Sequence, residues 1–113
     1  MHELWFCKNI LAIISAKLKE TQGKCVREVN VDIGALLAVD PSVLKFNFHV
    51  IAEKTLGENV QLVINTIPGE AICELCHQQA KINSYLDTCN YCNNFSLNIT
   101  RGEEFQVKSM RIE

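Results

Sequence analysis

The chain has 113 residues, 48% of them apolar and 21% charged, with a net charge of −2. That is material for one domain, or one domain with a small module attached. The near-neutral balance, with no basic run, recommends neither nucleic acid nor an anionic membrane surface as a partner.

Residues 4–22 read as a helix. Leu4, Cys7, Leu11, Ile14 and Leu18 recur at three- and four-residue steps, and Phe6, Ile10 and Ile13 widen the stripe. Gly23 is the expected stop. Trp5 falls outside the stripe, beside Lys8 and Asn9; covering a neighbouring element is favoured for it over recognition of a partner. The N-terminus has an acid, Glu3, where a signal peptide carries basic residues, and Lys8 interrupts the apolar run. No apolar run nears the ~18 residues of a membrane span. The expected location is therefore the cytoplasm, where six cysteines are thiols or metal ligands rather than disulfides.

A strand is expected over residues 25–39, with Val29, Val31 and Ile33 alternating with polar residues. Gly34 inside it marks a bulge or a close backbone approach. Asp40-Pro41 opens a second helix, Asp as cap and Pro at the first helical position. It runs to about Leu56 and stops near Gly57, burying an arc of Val43, Leu44, Phe46, Phe48, Val50 and Ile51. Asn47 lies within that arc; His49 faces solvent with Lys45 and Glu53. Val60 to Ile67 is a second strand. After the break at Pro68-Gly69 comes a segment poor in core residues, in which only Ala80, Ile82, Tyr85 and Leu86 could pack between its cysteines. Phe95, Leu97 and Ile99 form a short strand. Phe105 to Ile112 is the last, with a bulge expected near Lys108-Ser109, where its alternation changes phase.

That segment holds the strongest motif. Cys73-Glu74-Leu75-Cys76 and Cys89-Asn90-Tyr91-Cys92 are two pairs, each spaced for one tight turn to aim both sulfurs at one point. Tetrahedral Zn²⁺ asks for this, with Zn–S bonds of about 2.3 Å. Two alternatives compete: a pair of redox dithiols or disulfides, and covalent haem at Cys73-x-x-Cys76-His77, which leaves the second pair unexplained. Four thiolates close the coordination shell, so the zinc is read as structural, and it must supply folding energy that the thin core cannot. The fold class is thus α+β: a small mixed three-stranded sheet with two helices, from residues 1–67 and 105–113, and an inserted zinc-ribbon-like module with four cysteine ligands, residues 68–104.

Catalytic signatures are lacking. The chain has no Gly-rich phosphate loop, no G-x-S-x-G and no H-E-x-x-H, so no enzyme is expected. Met1 and His2 offer other chemistry. The terminal amine and the His2 amide nitrogen close a five-membered chelate, and that amide and Nδ1 a six-membered one. Three nitrogens in one plane suit Ni²⁺ or Cu²⁺. On these residues alone, an incidental histidine at a loose terminus is favoured.

Taken together, Met1-His2-Glu3-Leu4, Val31-Asp32-Ile33-Gly34-Ala35-Leu36 ahead of the second helix, the paired Cys-x-x-Cys motifs and Val107-Lys108-Ser109-Met110-Arg111-Ile112-Glu113 resemble the HypA/HybF family of hydrogenase nickel-incorporation proteins. The resemblance covers essentially the whole chain. It implies a cytoplasmic metallochaperone that passes Ni²⁺ to the large subunit of [NiFe]-hydrogenase, with a HypB-type GTPase as partner. Urease maturation factors are a further partner in some bacteria, and a weak homodimer is left open. It puts nickel on the backbone nitrogens of Met1, His2 and Glu3 and the His2 imidazole, and zinc on Cys73, Cys76, Cys89 and Cys92. The alternative is a zinc-ribbon adaptor for protein or nucleic acid that never handles nickel. Departures from the family pattern are the bulky Trp5-Phe6, Asn90 in place of Pro, and Asn93 where Gly would turn left-handed; only His77 flanks the cysteine pairs. The His2 amide nitrogen also has only two cis neighbours in a square plane. Either the plane distorts, or one donor is replaced by another group.

Overall fold

The computed structural model describes residues 2–22, 25–57 and 59–113, with His2 described by its backbone alone. In chain order the elements are α1 (His2–Glu20), β1 (Val26–Gly34), a 3-10 turn (Ala35–Leu37), α2 (Pro41–Thr55), β2 (Gln61–Ile67), β3 (Gly69–Cys73), β4 (Gln79–Ile82), β5 (Leu97–Arg101) and β6 (Phe105–Ile112). Two three-stranded sheets form, ordered β2-β1-β6 and β4-β3-β5. The α+β expectation therefore holds, with an addition: the cysteine segment carries a sheet of its own, not one short strand. The chain gathers into two compact units. The first takes the residues through Val31, Val39–Asn65 and Gln106–Glu113; the second takes Asp32–Ala38 and Thr66–Phe105.

In the first unit α1 packs against α2. The face α1 buries is Glu3, Phe6, Cys7, Ile10 and Ile14, while Leu4, Leu11 and Leu18 are half-buried and Ile13 is exposed. The seam thus runs one step to the side of the expected stripe, along Glu3, Cys7, Ile10 and Ile14, and takes in a carboxylate. The expected stop at Gly23 lies outside the described residues; Gln22, just before it, is already left-handed at φ 59°.

Asp40 caps α2 as its sequence predicts. Its side chain accepts the N–H groups of Ser42 at 2.9 Å and Val43 at 3.3 Å, and Pro41 opens the helix. Gly57, at φ 97°, ends it, its N–H sharing the Ala52 carbonyl with that of Leu56. The buried face is narrower than expected. Leu44, Phe48 and Ala52 are buried at i, i+4 and i+8, whereas Val43, Phe46 and Val50 are exposed, Phe46 by 68%. Those three lie roughly opposite the buried row at 100° per residue, so a helix packed on one side cannot bury both.

Within the second unit, Leu36, Ala71 and Ile82 form the buried cluster, with Leu97 and Ile99 packed on it. Ala80 is buried too, but Tyr85 and Leu86 are exposed, so the expected packing holds for only half of those residues. β3 pairs antiparallel with both neighbours, with a register irregularity at Glu70/Ala71. Gly34 is a close backbone approach rather than a bulge. A Cβ there would lie 1.9 Å from the Gly102 carbonyl oxygen, and the chain crosses at this point through the bond from Leu36 N–H to Gly102 O, 3.0 Å.

The bulge expected in β6 takes another form. Cys25 and Glu113 exchange both backbone hydrogen bonds, and Gly34 N–H bonds Glu104 O. Between these pairs β1 and β6 span equal lengths, so β6 holds no net extra residue. Its phase change, with Val107 and Met110 both half-buried, is matched in β1, where Val26 and Val29 are both buried.

Candidate metal centre

The two cysteine pairs fold alike. In each, the first cysteine's N–H bonds a carbonyl five residues on, Cys73 to Gln78 at 3.0 Å and Cys89 to Asn94 at 2.7 Å. Its carbonyl accepts the N–H of the residue after the second cysteine, His77 at 2.9 Å and Asn93 at 2.8 Å. Both of those residues are left-handed, His77 at φ 61° and Asn93 at φ 62°. Asn93 turns as its place in the motif predicts. For His77 the signal was the same offset from its own pair. Left-handed turns of this kind let backbone N–H groups point back at the leading sulfur, and Tyr91 N–H reaches Cys89 Sγ at 3.4 Å.

The four sulfurs then converge. Cys73 Sγ and Cys92 Sγ are 3.6 Å apart, as are Cys76 Sγ and Cys89 Sγ, and all four lie within 4.8 Å of one another. A tetrahedron with metal–sulfur bonds of about 2.3 Å has edges of about 3.8 Å. A disulfide needs about 2.05 Å. Convergence of both pairs on one point is what a four-thiolate metal site requires, and it accounts for the second pair as the haem alternative does not. Four sulfurs and no histidine or carboxylate in the cluster is a soft donor set that fits a structural metal. Cys73 and Cys89 are buried, Cys76 half-buried and Cys92 exposed.

Without a metal the four thiols divide by position in the turn. The N–H of Cys76, aided by that of Leu75, lowers Cys73 to about 7. The N–H groups of Cys92 and Tyr91 lower Cys89 in the same way. The trailing cysteines go the other way. The Gln78 N–H favours the Cys76 thiolate, but burial and the neighbouring thiols outweigh it and push that group up to about 12. Cys92 is raised as well, the pull of the Asn94 N–H being exceeded by the Cys73 thiol and by burial. Thiolate is thus favoured at the leading cysteine of each turn, and a metal held by all four sulfurs would require the remaining protons to leave.

The N-terminal candidates are divided by what the structure describes. Met1 and the His2 imidazole lie outside the described residues. α1 begins at His2, and the opening N–H groups of a helix have no carbonyl four residues back to bond. Glu3 is only 9% exposed, and its Oε2 accepts the backbone N–H of Asp40, the cap of α2, at 3.2 Å. The family resemblance gives Glu3 a role through its backbone nitrogen alone. Its place on the Cys7–Ile10–Ile14 seam was the signal for a buried, structural side chain.

The other singled-out residues separate cleanly. His49 pairs with Glu53 at 3.1 Å on the exposed face of α2, as expected for a solvated helical side. Trp5 is 57% exposed, with its ring edge-on to Phe6 at 4.9 Å. Cys7 is fully buried, and burial raises its thiol; Cys25 is exposed. No helix is long and apolar enough to cross a membrane among the described residues.

Comparison with known proteins bears on the whole chain. The family model described as hydrogenase/urease nickel incorporation, metallochaperone, HypA matches residues 1–112. Hydrogenase maturation factors HypA of Legionella pneumophila are similar along their full length: 45% identical over 113 residues in strain Corby and 48% over 115 in strain Lens, with 100% of each chain covered. The solution structure of the Ni metallochaperone HypA from Helicobacter pylori superposes with a TM-score of 0.63 at 25% identity, covering 94% of this chain and 92% of that one. A second solution structure, of HypA protein, gives 0.69 at 27%, covering 100% and 97%. Proteins of this kind are metallochaperones and maturation factors rather than enzymes. On the family model's match to nearly every residue and on these full-length relatives, the chain belongs to the HypA family of hydrogenase/urease nickel-incorporation metallochaperones.

Proposed function

We propose that this chain is a cytoplasmic carrier of Ni²⁺ for [NiFe]-hydrogenase maturation, binding its cargo at the N-terminus and holding a structural Zn²⁺ on Cys73, Cys76, Cys89 and Cys92. The single observation that carries the reading is the Met1-His2-Glu3 opening at the start of a helix, in a chain of a nickel-incorporation family. Backbone nitrogens there are not required to close helical hydrogen bonds, so losing an amide proton to Ni²⁺ does not cost the helix a bond. The donors are the backbone nitrogens of Met1, His2 and Glu3 together with the His2 imidazole. Nitrogen ligation of this type suits Ni²⁺. The buried Glu3 carboxylate anchors the start of α1 to the α2 cap and so steadies the donors.

Two metals, two chemistries, follow from the donor sets. The four-thiolate cage is closed and folds its unit. A terminal nitrogen site is open to ligand exchange and gives up its ion to a better-coordinating acceptor. The acceptor is the hydrogenase large subunit, with a HypB-type GTPase acting alongside; urease maturation factors use the same delivery. Protons compete for every nickel donor, so acidification releases the cargo.

The test uses Trp5, three residues from His2, exposed and the chain's one tryptophan. Ni²⁺ added near neutral pH is expected to quench its fluorescence to a one-equivalent endpoint in protein with a native N-terminus. His2→Ala, or an N-terminal tag, is expected to abolish the quench while zinc content stays at one per chain. An unchanged quench in both variants overturns the N-terminal site.

A further inference from the structure

The two edges of the first sheet are treated differently. Edge strands expose backbone groups that can pair with any extended chain, and proteins usually guard them with charges or proline. β6 is guarded: Lys108 and Arg111 lie along it, and Arg111 pairs with Glu28 at 3.7 Å and with Glu113 at 3.0 Å. β2, the opposite edge, carries no such guard along its described residues. Gln61-Leu62-Val63-Ile64-Asn65 contains no charge and no proline, and no strand of the described residues pairs beyond it.

Beside this strand lies an open groove of about 360 Å³ between α2 and β2. Phe48, Val60 and Leu62, all buried, form its apolar floor. Gln61 and Val63 line its strand side, and Lys45 and His49 stand on its helix side. The lip is basic but not evenly so. His49 is already engaged by Glu53 at 3.1 Å, whereas Lys45 has no ion-pair partner among the described residues. Among the described residues, a strand edge with no further strand, an apolar floor and an ammonium with no ion pair select one kind of occupant.

We infer that the β2 edge is a docking site for an extended, acidic peptide segment of a partner protein. The segment adds a strand to β2 through backbone hydrogen bonds, sets an aliphatic side chain over Phe48 and Leu62, and places a carboxylate on Lys45. Strand addition of this kind takes its affinity from the backbone and its selectivity from side-chain pockets, and the lysine supplies the sign of charge. A second copy pairing β2 to β2 is disfavoured, because it brings the same uncompensated lysine to both sides of the junction. The β2 edge involves neither the N-terminus nor the cysteines, so it stands or falls apart from the nickel reading.

The experiment is an NMR titration of the ¹⁵N-labelled, zinc-loaded full chain. The probe is an acetylated, amidated hexapeptide alternating valine with glutamate; the control alternates valine with lysine. Expected are amide shifts centred on residues 61–65 and on α2 around Lys45 with the glutamate peptide, and at least tenfold weaker response to the lysine peptide. Lys45→Glu, at an exposed position with no ion pair among the described residues, is expected to reverse that preference. No response to either peptide at millimolar concentration overturns the inference. So does a response that Lys45→Glu leaves unchanged. Shifts at residues 61–65 that appear on concentrating the protein alone, without peptide, give the edge to a second copy and overturn it too.

Discussion

Replacing Gly34 with alanine isolates the contact on which the second unit closes. Gly34 has φ −68° and ψ 140°, an ordinary extended conformation, so alanine meets no torsional penalty there. The cost is steric. The new Cβ falls 1.9 Å from Gly102 O, 2.1 Å from Gly102 C and 2.5 Å from Glu103 N. All three are backbone atoms, which cannot rotate aside as a side chain can. Restoring ordinary contact displaces the Gly102 carbonyl by about 1.5 Å and strains two bonds, Gly34 N–H to Glu104 O at 2.7 Å and Leu36 N–H to Gly102 O at 3.0 Å. Each is worth about 0.5–1.5 kcal/mol, and forced overpacking adds about 1–3 kcal/mol. The expected loss is roughly 2–6 kcal/mol, a large share of the ~5–15 kcal/mol that holds a typical domain folded. Gly57→Ala is the control: a Cβ there meets nothing within 4 Å, but φ is 97°, so its cost of about 1–2 kcal/mol is torsional alone. Urea unfolding of zinc-saturated protein, followed by far-UV circular dichroism, measures both. A Gly34→Ala loss no larger than that of Gly57→Ala would refute the close-approach argument.

Two further outcomes are expected. Where the first turn stays formed without metal, Cys73, lowered from its ordinary value of 9.0 to about 7, is thiolate above that pH and thiol below it. Iodoacetamide should therefore modify Cys73 well ahead of Cys76 at pH 8, the Cys73 rate falling about tenfold by pH 6 as its thiolate is protonated, and both should be protected once Zn²⁺ is bound; equal rates, read by peptide mass spectrometry, contradict the division of the turns. Glu3→Ala removes the acceptor of the Asp40 N–H and leaves a partly buried donor unsatisfied, costing about 1–3 kcal/mol; Glu3→Gln, which keeps an oxygen in place, should recover most of that in thermal unfolding, and a loss equal to that of alanine would contradict the assignment.

The sequence displayed its local chemistry more fully than its long-range contacts. Asp40-Pro41 announced the start of α2 and Gly57 its end, because capping is written in adjacent residues. The cysteine spacing showed the knuckles, and Asn93 its left-handed turn. What stayed hidden depends on distant partners. Val43, Phe46 and Val50 are as apolar as Leu44 and Phe48, and only the direction of packing separates them. Glu3 reads as a surface acid until Asp40, 37 residues on, supplies its donor. β3 and β4 are short, and each alone has too little alternation to announce a strand; their pairing with each other and with β5 makes the sheet. Leu36 belongs with the cysteine unit because Gly34 lets the chain cross Gly102 there, a contact no spacing rule contains.

The bond from Asp40 N–H to Glu3 sets a length of tether. With the third residue moored to the cap of another helix, Met1 and His2 lie within about 7 Å of that mooring along the chain, even at full extension. On the proposed reading, an ion held by Met1 and His2 is not swung into a deep cavity on a long arm. On that reading the receiving protein brings its own ligands up to the head of α1. Handover so proposed is a matter of docking two surfaces in register, and a mutation that releases Glu3 from Asp40 would loosen the delivery without touching a single ligand.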